Sequence, residues 1–184
     1  FGALLYSQEA SESYMSDPTV NAVNREPMRA SYFAYSSANE ARENNPWKVS
    51  DYQSLNGAWK FNWADAPAKK PKGFWKTDYN DSQWQSLNIP AVWELNGYGT
   101  PIYVNQRYEF DYLMKPNPPH VPQNYNPVGS YRREIVVDKN WDGKDIYIQF
   151  GAVRSCMYLW INGQWVGYSE DSKLPAEFNI TKYI

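Results

Sequence analysis

The sequence WINGQWVGYSEDSKLPAEF (Trp160–Phe178) predicts a β-hairpin that ends in two acidic residues. Asn162–Gly163 suits the positive φ angles of a tight type I′ turn, so the aromatic and apolar runs on either side should pair as antiparallel strands. The alternation then stops at Glu170 and Asp171, and Pro175 cannot donate a hydrogen bond to a continuing ladder. The turn accounts for the hairpin, but it gives no reason for paired acids at the other end.

Further short strands are predicted on both sides of this hairpin. SLNGAWKFNW (Ser54–Trp63) alternates around a second Asn-Gly turn and places three aromatic side chains on one face. Strands at such short spacing, without a strong helical pattern, indicate an all-β fold, an antiparallel β-sandwich. The passage from Phe74 to Gly129 is rich in Gly, Pro and Asn, which suits edge strands and ordered loops. The other predicted strands are Ser130–Asp138, Lys144–Val153 and Ala176–Ile184.

The first fifty residues differ from the rest of the chain in composition and in hydrophobic pattern. Residues 1–50 are polar and lack periodicity, which predicts an irregular arm ahead of one β-sandwich domain at residues 51–184. Within the arm, Ser37 and Glu40 have the spacing of a helix cap, so one or two helical turns are expected there. Residues 1–12 are typical of either a disordered terminus or the remnant of a secretory signal, and a signal would indicate a periplasmic or secreted protein.

Composition excludes several classes of partner. The 18 basic and 20 acidic residues are scattered, so the chain has no basic face for nucleic acid. No apolar run reaches the length that spans a membrane. Aromatic residues make up 17% of the chain, more than core packing usually requires, and exposed aromatic faces are therefore expected.

The single cysteine and the single histidine limit the chemistry of the chain. One thiol excludes an intramolecular disulfide, and together with one imidazole it leaves neither a four-ligand zinc set nor a Cys-His couple with a spare base. Cys156 lies in a predicted strand and is interpreted as a small core residue. His120 lies in the proline-rich sequence PNPPHVP, where a surface position is expected.

Four motifs together resemble one known family. SLNGAWKFNW, GYGTPIYVNQRY, NPPHVPQNYNPVGSYRREI and WINGQWVGYSEDSKLPAEFNIT occur in this order in the amino-terminal domain of bacterial β-galactosidases of glycoside hydrolase family 2. The resemblance covers residues from about 20 to the end of the chain and implies a jelly-roll, galactose-binding-like β-sandwich beside a catalytic (β/α)₈ barrel. It also implies that the full enzyme uses sodium and magnesium, acts on β-galactosides and forms a homo-oligomer.

The resemblance implies roles for two residues. Asp171 in SEDSKLP corresponds to the family's aspartate that reaches the galactose pocket and helps to hold a sodium ion, and Asn105 in PIYVN corresponds to an asparagine beside the galactosyl site. Two loops depart from the family pattern: His120 replaces an aromatic residue, and PAVW (Pro90–Trp93) replaces Pro-Ser-Asn-Trp. On residues alone, a cap of the following turn is the favoured role of Asp171 and an Asx-turn that of Asn105, and only the resemblance favours the site roles.

The acids at the hairpin end do not form a catalytic pair by themselves. Retaining hydrolysis needs two carboxyl groups about 5 Å apart, whereas neighbours on an extended chain point to opposite faces. Glu170 is therefore expected to serve only solubility or a surface ion pair. The family's catalytic glutamates lie on the barrel, which takes about 250 residues and has no counterpart here. This chain is thus expected to be a fragment that lacks a final strand and has no activity alone.

The sequence leaves more than one function open. The first interpretation is the amino-terminal domain of a retaining β-galactosidase. A free-standing carbohydrate-binding module, a family 2 glycosidase with another sugar specificity and a purely structural domain are the alternatives. Tyr98 and Tyr103 lie in a loop where their rings could flank a sugar.

Overall fold

The computed structural model describes residues 10–101, 105, 110–111 and 115–184, which consist mainly of strands and loops. All strand pairs are antiparallel, so the predicted all-β antiparallel fold is confirmed. The sheets have the orders β1-β7-β6, β3-β2-β4 and β5-β8. The strands are β1 (Ala22–Val23), β2 (Gly57–Ala64), β3 (Gln85–Ile89), β4 (Val128–Arg132), β5 (Tyr147–Phe150), β6 (Cys156–Ile161), β7 (Gln164–Glu170) and β8 (Ala176–Asn179).

The predicted hairpin is present as β6 and β7. Asn162 and Gly163 form its turn with φ angles of 49° and 78°, the left-handed values that a type I′ turn needs. At the middle of β7, a Cβ atom on Gly167 would collide with the carbonyl oxygen of Val23 and lie 2.8 Å from the ring of Phe178. Glycine is therefore required where β1 and β8 both approach β7.

The first and third sheets share a hydrophobic core. Burying each large aliphatic or aromatic side chain contributes about 1.5–3 kcal/mol, so this cluster is a main source of stability for the hairpin. The core residues come from β5 to β8 and the end of the chain, and they are Ile148, Leu159, Val166, Ala176, Phe178 and Ile180.

The second sheet has a separate aromatic cluster. Phe61 on β2 is 1% exposed and packs against the rings of Trp93, Tyr98 and Tyr131. Gly129 on β4 lies beneath these rings, because a Cβ there would come within 3 Å of three of them. The strand predicted in SLNGAWKFNW is thus confirmed, although it begins at Gly57.

The turn predicted at the second Asn-Gly pair is wrong. Gly57 has a φ of 112°, but it starts β2 and no hairpin forms there. Leu55 and Asn56 instead offer their carbonyl oxygens to the guanidinium of Arg133, and the indole of Trp59 donates to Leu55 O at 2.8 Å. These contacts hold residues 55–56 beside the second sheet, where they lead into β2.

Three predicted strands are shorter in the structure. β4 starts two residues before the predicted segment Ser130–Asp138 and ends at Arg132, and only Tyr147–Phe150 of Lys144–Val153 is a strand. β8 ends at Asn179, whose Oδ1 accepts hydrogen bonds from the backbone N–H of Thr181 at 3.0 Å and from its hydroxyl at 2.7 Å. These bonds form a local turn, while the N–H of Ile180 still donates to the carbonyl oxygen of Ile146 at 2.8 Å before the 3-10 turn Thr181–Tyr183 begins.

The described part of the arm contains the predicted helical turns. Helix α1 (Ala38–Glu43) is capped by Ser37, whose Oγ accepts from the N–H of Glu40 at 3.2 Å, and none of its residues is buried. No helix among the described residues has the length and apolarity needed to cross a membrane. The 3-10 turns are Glu12–Ser16, Pro46–Lys48, Pro67–Lys69, Trp93–Asn96, Lys139–Trp141 and Thr181–Tyr183.

Candidate functional site

Asp171 follows the last residue of β7 and is exposed. Its φ of 103° is a backbone conformation that residues with a side chain rarely adopt. The carboxylate Oδ1 accepts hydrogen bonds from the N–H groups of Lys173 at 2.9 Å and Leu174 at 3.2 Å. These two bonds, with a smaller contribution from the charge of Arg25, lower the pKa of Asp171, so the group is ionised at neutral pH.

The capping geometry of Asp171 leaves one carboxylate oxygen available. Oδ1 caps the following turn, which is the alternative role that the residues alone predict for Asp171. Both hydrogen bonds that the described residues make to this carboxylate involve Oδ1, and the residue as a whole is exposed. The arrangement therefore combines a fixed side chain with a free anionic oxygen, which can accept a hydroxyl hydrogen bond or contact a cation.

The neighbouring acid has a different environment. The Oε1 atom of Glu170 accepts a hydrogen bond of 2.6 Å from the hydroxyl of Tyr168, a residue that is 0% exposed. The expectation that Glu170 serves only solubility or a surface ion pair is therefore wrong. The sequence pattern could not reveal this bond, because it joins residues i and i+2 on one face of β7 only after the strand has formed.

The residues around Tyr168 form an aromatic layer beneath the arm. The ring centroid of Tyr14 lies 5.3 Å from that of Tyr168 and 6.4 Å from that of Tyr158, whose hydroxyl donates to Ser11 O at 3.0 Å. Burial raises the pKa values of both Tyr158 and Tyr168, and it also raises the pKa of the Cys156 thiol. At neutral pH all three groups are protonated and unsuited to nucleophilic catalysis. Cys156 is half-buried at the start of β6 and is not a member of the hydrophobic core cluster, in contrast to its interpretation as a core residue.

The arm pairs with β7 at the end of the strand that leads into Asp171. Ala22 pairs with Ser169, and the carbonyl of Asn21 accepts from the N–H of Glu170 at 2.9 Å. Arg25 reaches the same strand end with its guanidinium. Sequence reasoning missed these residues, since they are separated from β7 by more than 140 positions and the arm carries no periodic pattern.

The other predicted site residues either lie away from Asp171 or are not among the described residues. Asn105 is exposed at a bend, and no contact within the described part of the chain joins it to Asp171. Tyr98 packs its ring edge-on against Phe61 at 4.9 Å, which makes it part of the aromatic cluster of the second sheet. Tyr103 lies outside the described residues. His120 is exposed and forms an isolated bridge with Asn117.

Two open depressions lie along the β3 side of the molecule. The larger, of about 550 Å³, follows β3 into the loop that carries the PAVW sequence, and exposed Val92 and Leu95 make it apolar. The smaller, of about 270 Å³, is lined by four aromatic residues and three amides: Phe61, Asn62, Trp63, Gln83, Trp84, Gln85 and Tyr98. Neither lining includes Asp171.

The described residues contain no group of three or more His, Cys, Asp or Glu side chains that could hold a metal ion. Asp171 can therefore supply one oxygen to a cation, but the described residues do not complete a coordination shell around it. A cation at Asp171 would take its remaining ligands from other parts of the protein or from substrate and water.

The sequence is similar to one protein family and to several known enzymes. A family model described as "Glycosyl hydrolases family 2, sugar binding domain" matches residues 52–184. The β-galactosidase of Priestia megaterium is 39% identical over 168 residues, which cover 91% of this chain and 16% of that protein. The β-galactosidase of Vibrio vulnificus strain YJ016 is 45% identical over 132 residues, 72% of this chain and 12% of that protein. The chain thus spans less than a fifth of these relatives.

Solved structures support the same fold. A crystal structure of the β-glucuronidase from Bacteroides uniformis aligns with 72% of this chain and 13% of that protein, with a TM-score of 0.50 and 23% identity. A calcium binding mutant of β-glucuronidase 2 from the same organism aligns over the same shares with a TM-score of 0.51. At this identity the likeness concerns the fold alone.

Proposed function

This chain belongs to the sugar binding domain family of the family 2 glycosyl hydrolases, and from that membership we propose that it is the amino-terminal domain of a retaining β-galactosidase. The whole enzyme would hydrolyse terminal β-D-galactosyl residues. This domain would form one wall of the galactose pocket, and the catalytic carboxyl groups would lie outside it. Relatives named β-galactosidase at 39% and 45% identity support this proposal.

The proposed role in the galactose pocket rests on the geometry of the Asp171 carboxylate. Its Oδ1 is held by two backbone N–H groups, so the side chain is fixed before any ligand arrives. A fixed carboxylate loses little conformational freedom on binding, and its second oxygen can accept a hydrogen bond from a sugar hydroxyl. Asn105 is proposed as a second polar contact to the galactosyl group, because an amide can both donate to and accept from hydroxyls.

Sodium fits Asp171 as a shared ligand. Hard cations prefer oxygen ligands, and the lowered pKa keeps this carboxylate anionic at neutral pH. Asp171 would supply one oxygen and would orient the ion against the substrate, while residues outside this chain would complete the site. Magnesium is proposed only for the remainder of the enzyme, since the described residues offer no cluster for it. The full enzyme is proposed to be a homo-oligomer.

The decisive experiment replaces Asp171 in the full-length protein. Asp171→Asn keeps the size and the capping oxygen but removes the charge, so we expect kcat/KM for an aryl β-galactoside to fall at least about tenfold, equivalent to about 1.4 kcal/mol. The dependence of activity on sodium concentration should also weaken. The measurement is steady-state kinetics across a sodium titration.

Asp138→Asn is the matched control. Asp138 is also exposed, and its Oδ1 also caps a turn by accepting from the N–H of Asn140 at 2.8 Å. Its substitution should change kcat/KM less than about twofold. Equal small effects from the two substitutions would reduce Asp171 to an ordinary capping residue. Turnover of the same substrate by this 184-residue chain alone would contradict the assignment of the catalytic groups to other domains.

A further inference from the structure

We infer that Arg25 is a positioning residue for Asp171, an inference that rests on the proposed function. Arg25 belongs to the arm, and its guanidinium binds the end of β7 immediately before Asp171. The arm would thus take part in building the sugar site without touching the sugar.

The contacts of Arg25 converge on one point of the backbone. Its Nη1 donates to the Oγ of Ser169 at 2.9 Å and to the carbonyl oxygen of Glu170 at 3.1 Å. Ser169 is only 4% exposed, and its hydroxyl lies 3.2 Å from the same carbonyl oxygen, to which it donates. The guanidinium, the hydroxyl and the carbonyl therefore form one polar cluster at the strand end.

The carbonyl of Glu170 belongs to the peptide plane that leads into Asp171. Because a peptide unit is planar, fixing its carbonyl oxygen also fixes the direction of the following N–Cα bond. Asp171 has a φ of 103°, and a non-glycine residue keeps such a conformation only when its surroundings hold it there. Arg25 holds the upstream side of Asp171, and the N–H groups of Lys173 and Leu174 hold the downstream side.

The arm delivers Arg25 to this position through its own contacts with β7. Val23 pairs with Tyr168, and the chain then bends at Asn24, which has a φ of 56° and donates from Nδ2 to the carbonyl of Val166 at 2.8 Å. The bend ends the β1 ladder and allows the next side chain to return along β7.

A double-mutant cycle in the full-length protein tests this inference. We expect Arg25→Met to weaken the binding of a non-hydrolysable thiogalactoside about fivefold to tenfold by calorimetry and to raise KM for an aryl β-galactoside similarly. In the Asp171→Asn background the same substitution should change binding less than about twofold, because its effect passes through Asp171.

Arg29→Met provides the control within the arm. Arg29 is equally long, but it pairs with Glu177 on β8, with 2.7 Å between Nη2 and Oε2, and does not contact the end of β7. Its substitution should leave thiogalactoside binding within about twofold of the unmodified protein. Ser169→Ala provides a second probe of the cluster that keeps the charge of Arg25, and it should weaken binding in the same direction.

The outcomes separate this inference from the proposed function. If Asp171→Asn impairs binding while Arg25→Met and Ser169→Ala do not, the inference is overturned and the proposed function stands. If the effects of Arg25→Met and Asp171→Asn multiply in the double variant, Arg25 acts on something other than Asp171 and the inference is also overturned. If Asp171→Asn binds as the unmodified protein does, both fail. Should Arg25→Met prevent folding, Ser169→Ala decides alone.

Discussion

The two ends of the β6–β7 hairpin are built in opposite ways. At the closed end, Asn162 and Gly163 complete the turn with their own left-handed φ angles. At the open end, Glu170 and Asp171 depend on partners from a distant part of the chain, among them Asn21 and Arg25 in the arm. The closed end is a local product of sequence, whereas the open end exists only when the arm is in place.

This difference explains why the candidate site lies at the open end. A two-residue turn joins strands efficiently but offers few groups for binding. The open end brings together an exposed carboxylate, a guanidinium and a buried hydroxyl from two segments of the chain. Long-range contacts fix such groups in conformations that local sequence would not hold, and fixed polar groups are what a binding site requires.

Gly167→Ala should disrupt the open end most strongly. The added Cβ would collide with the carbonyl oxygen of Val23 and press on Phe178, so β1 must separate from β7 or the core must shift. Overpacking of this kind costs about 3 kcal/mol. Hydrogen exchange of the β7 amides in the full-length protein should accelerate accordingly, and binding of a thiogalactoside should weaken with it.

Gly151→Ala is the corresponding control, because its Cβ would meet no atom within 4 Å and its backbone shows no left-handed φ. Exchange of the β7 amides should be unchanged in this variant. Equal protection in the Gly167 and Gly151 variants would mean that the arm does not pack against β7 as the structure indicates.

Glu170 should matter for stability because of its bond to Tyr168. Glu170→Leu leaves the hydroxyl of fully buried Tyr168 without an acceptor, which costs about 2 kcal/mol. Glu170→Gln retains an acceptor oxygen and should cost much less. Hydrogen exchange of the β7 amides distinguishes the two, and equal protection in both variants would show that the hydroxyl finds another partner.

Sequence predicted the features that depend on local chemistry. The Asn162–Gly163 turn, the alternation of β2 and the cap of α1 at Ser37 all follow from neighbouring residues, and the structure confirms them. The second Asn-Gly pair shows the limit of such reasoning. Gly57 has the expected positive φ, but within the described residues no partner strand ends just before it, so the same dipeptide opens a strand instead of closing a hairpin.

The candidate site was predictable only in part. Asp171 was identified through a resemblance between motifs, and its turn-capping role through its position before Lys173 and Leu174. Arg25 could not be identified, since nothing in the arm's sequence indicates which strand it contacts 144 positions later. The role of Glu170 was also missed, because burial of Tyr168 depends on the arm packing over β7.

Tyr168 should make the open end sensitive to alkaline pH. Burial, together with the bond to Glu170, raises the pKa of Tyr168, whereas an unfolded tyrosine titrates near pH 10. Above about pH 10 the folded state therefore binds more protons than the unfolded state, so this contribution to stability is complete below pH 10 and is lost as pH rises.

Tyr168→Phe removes the titrating hydroxyl and tests this pH effect. At pH 7 the variant should be less stable by about 1.5 kcal/mol, since it lacks the bond to Glu170. Above pH 10 the difference should shrink by up to about 1.4 kcal/mol per pH unit. The measurement is the urea midpoint of both full-length proteins at several pH values. A difference in stability that stays constant with pH would refute the proposed titration of Tyr168.

Substitutions at the closed end of the hairpin should have the smallest effect on stability, because they only strain the backbone of the turn. Gly163 has a φ of 78°, where alanine costs about 1 kcal/mol and asparagine less. Stability measured by exchange of amides next to the turn should therefore rank Gly163→Asn above Gly163→Ala. Thiogalactoside binding should be unaffected in both variants, because the contacts of Arg25 and Asp171 do not involve the turn. Binding that weakens as much in Gly163→Ala as in Gly167→Ala would show that the two ends of the hairpin are coupled through β7.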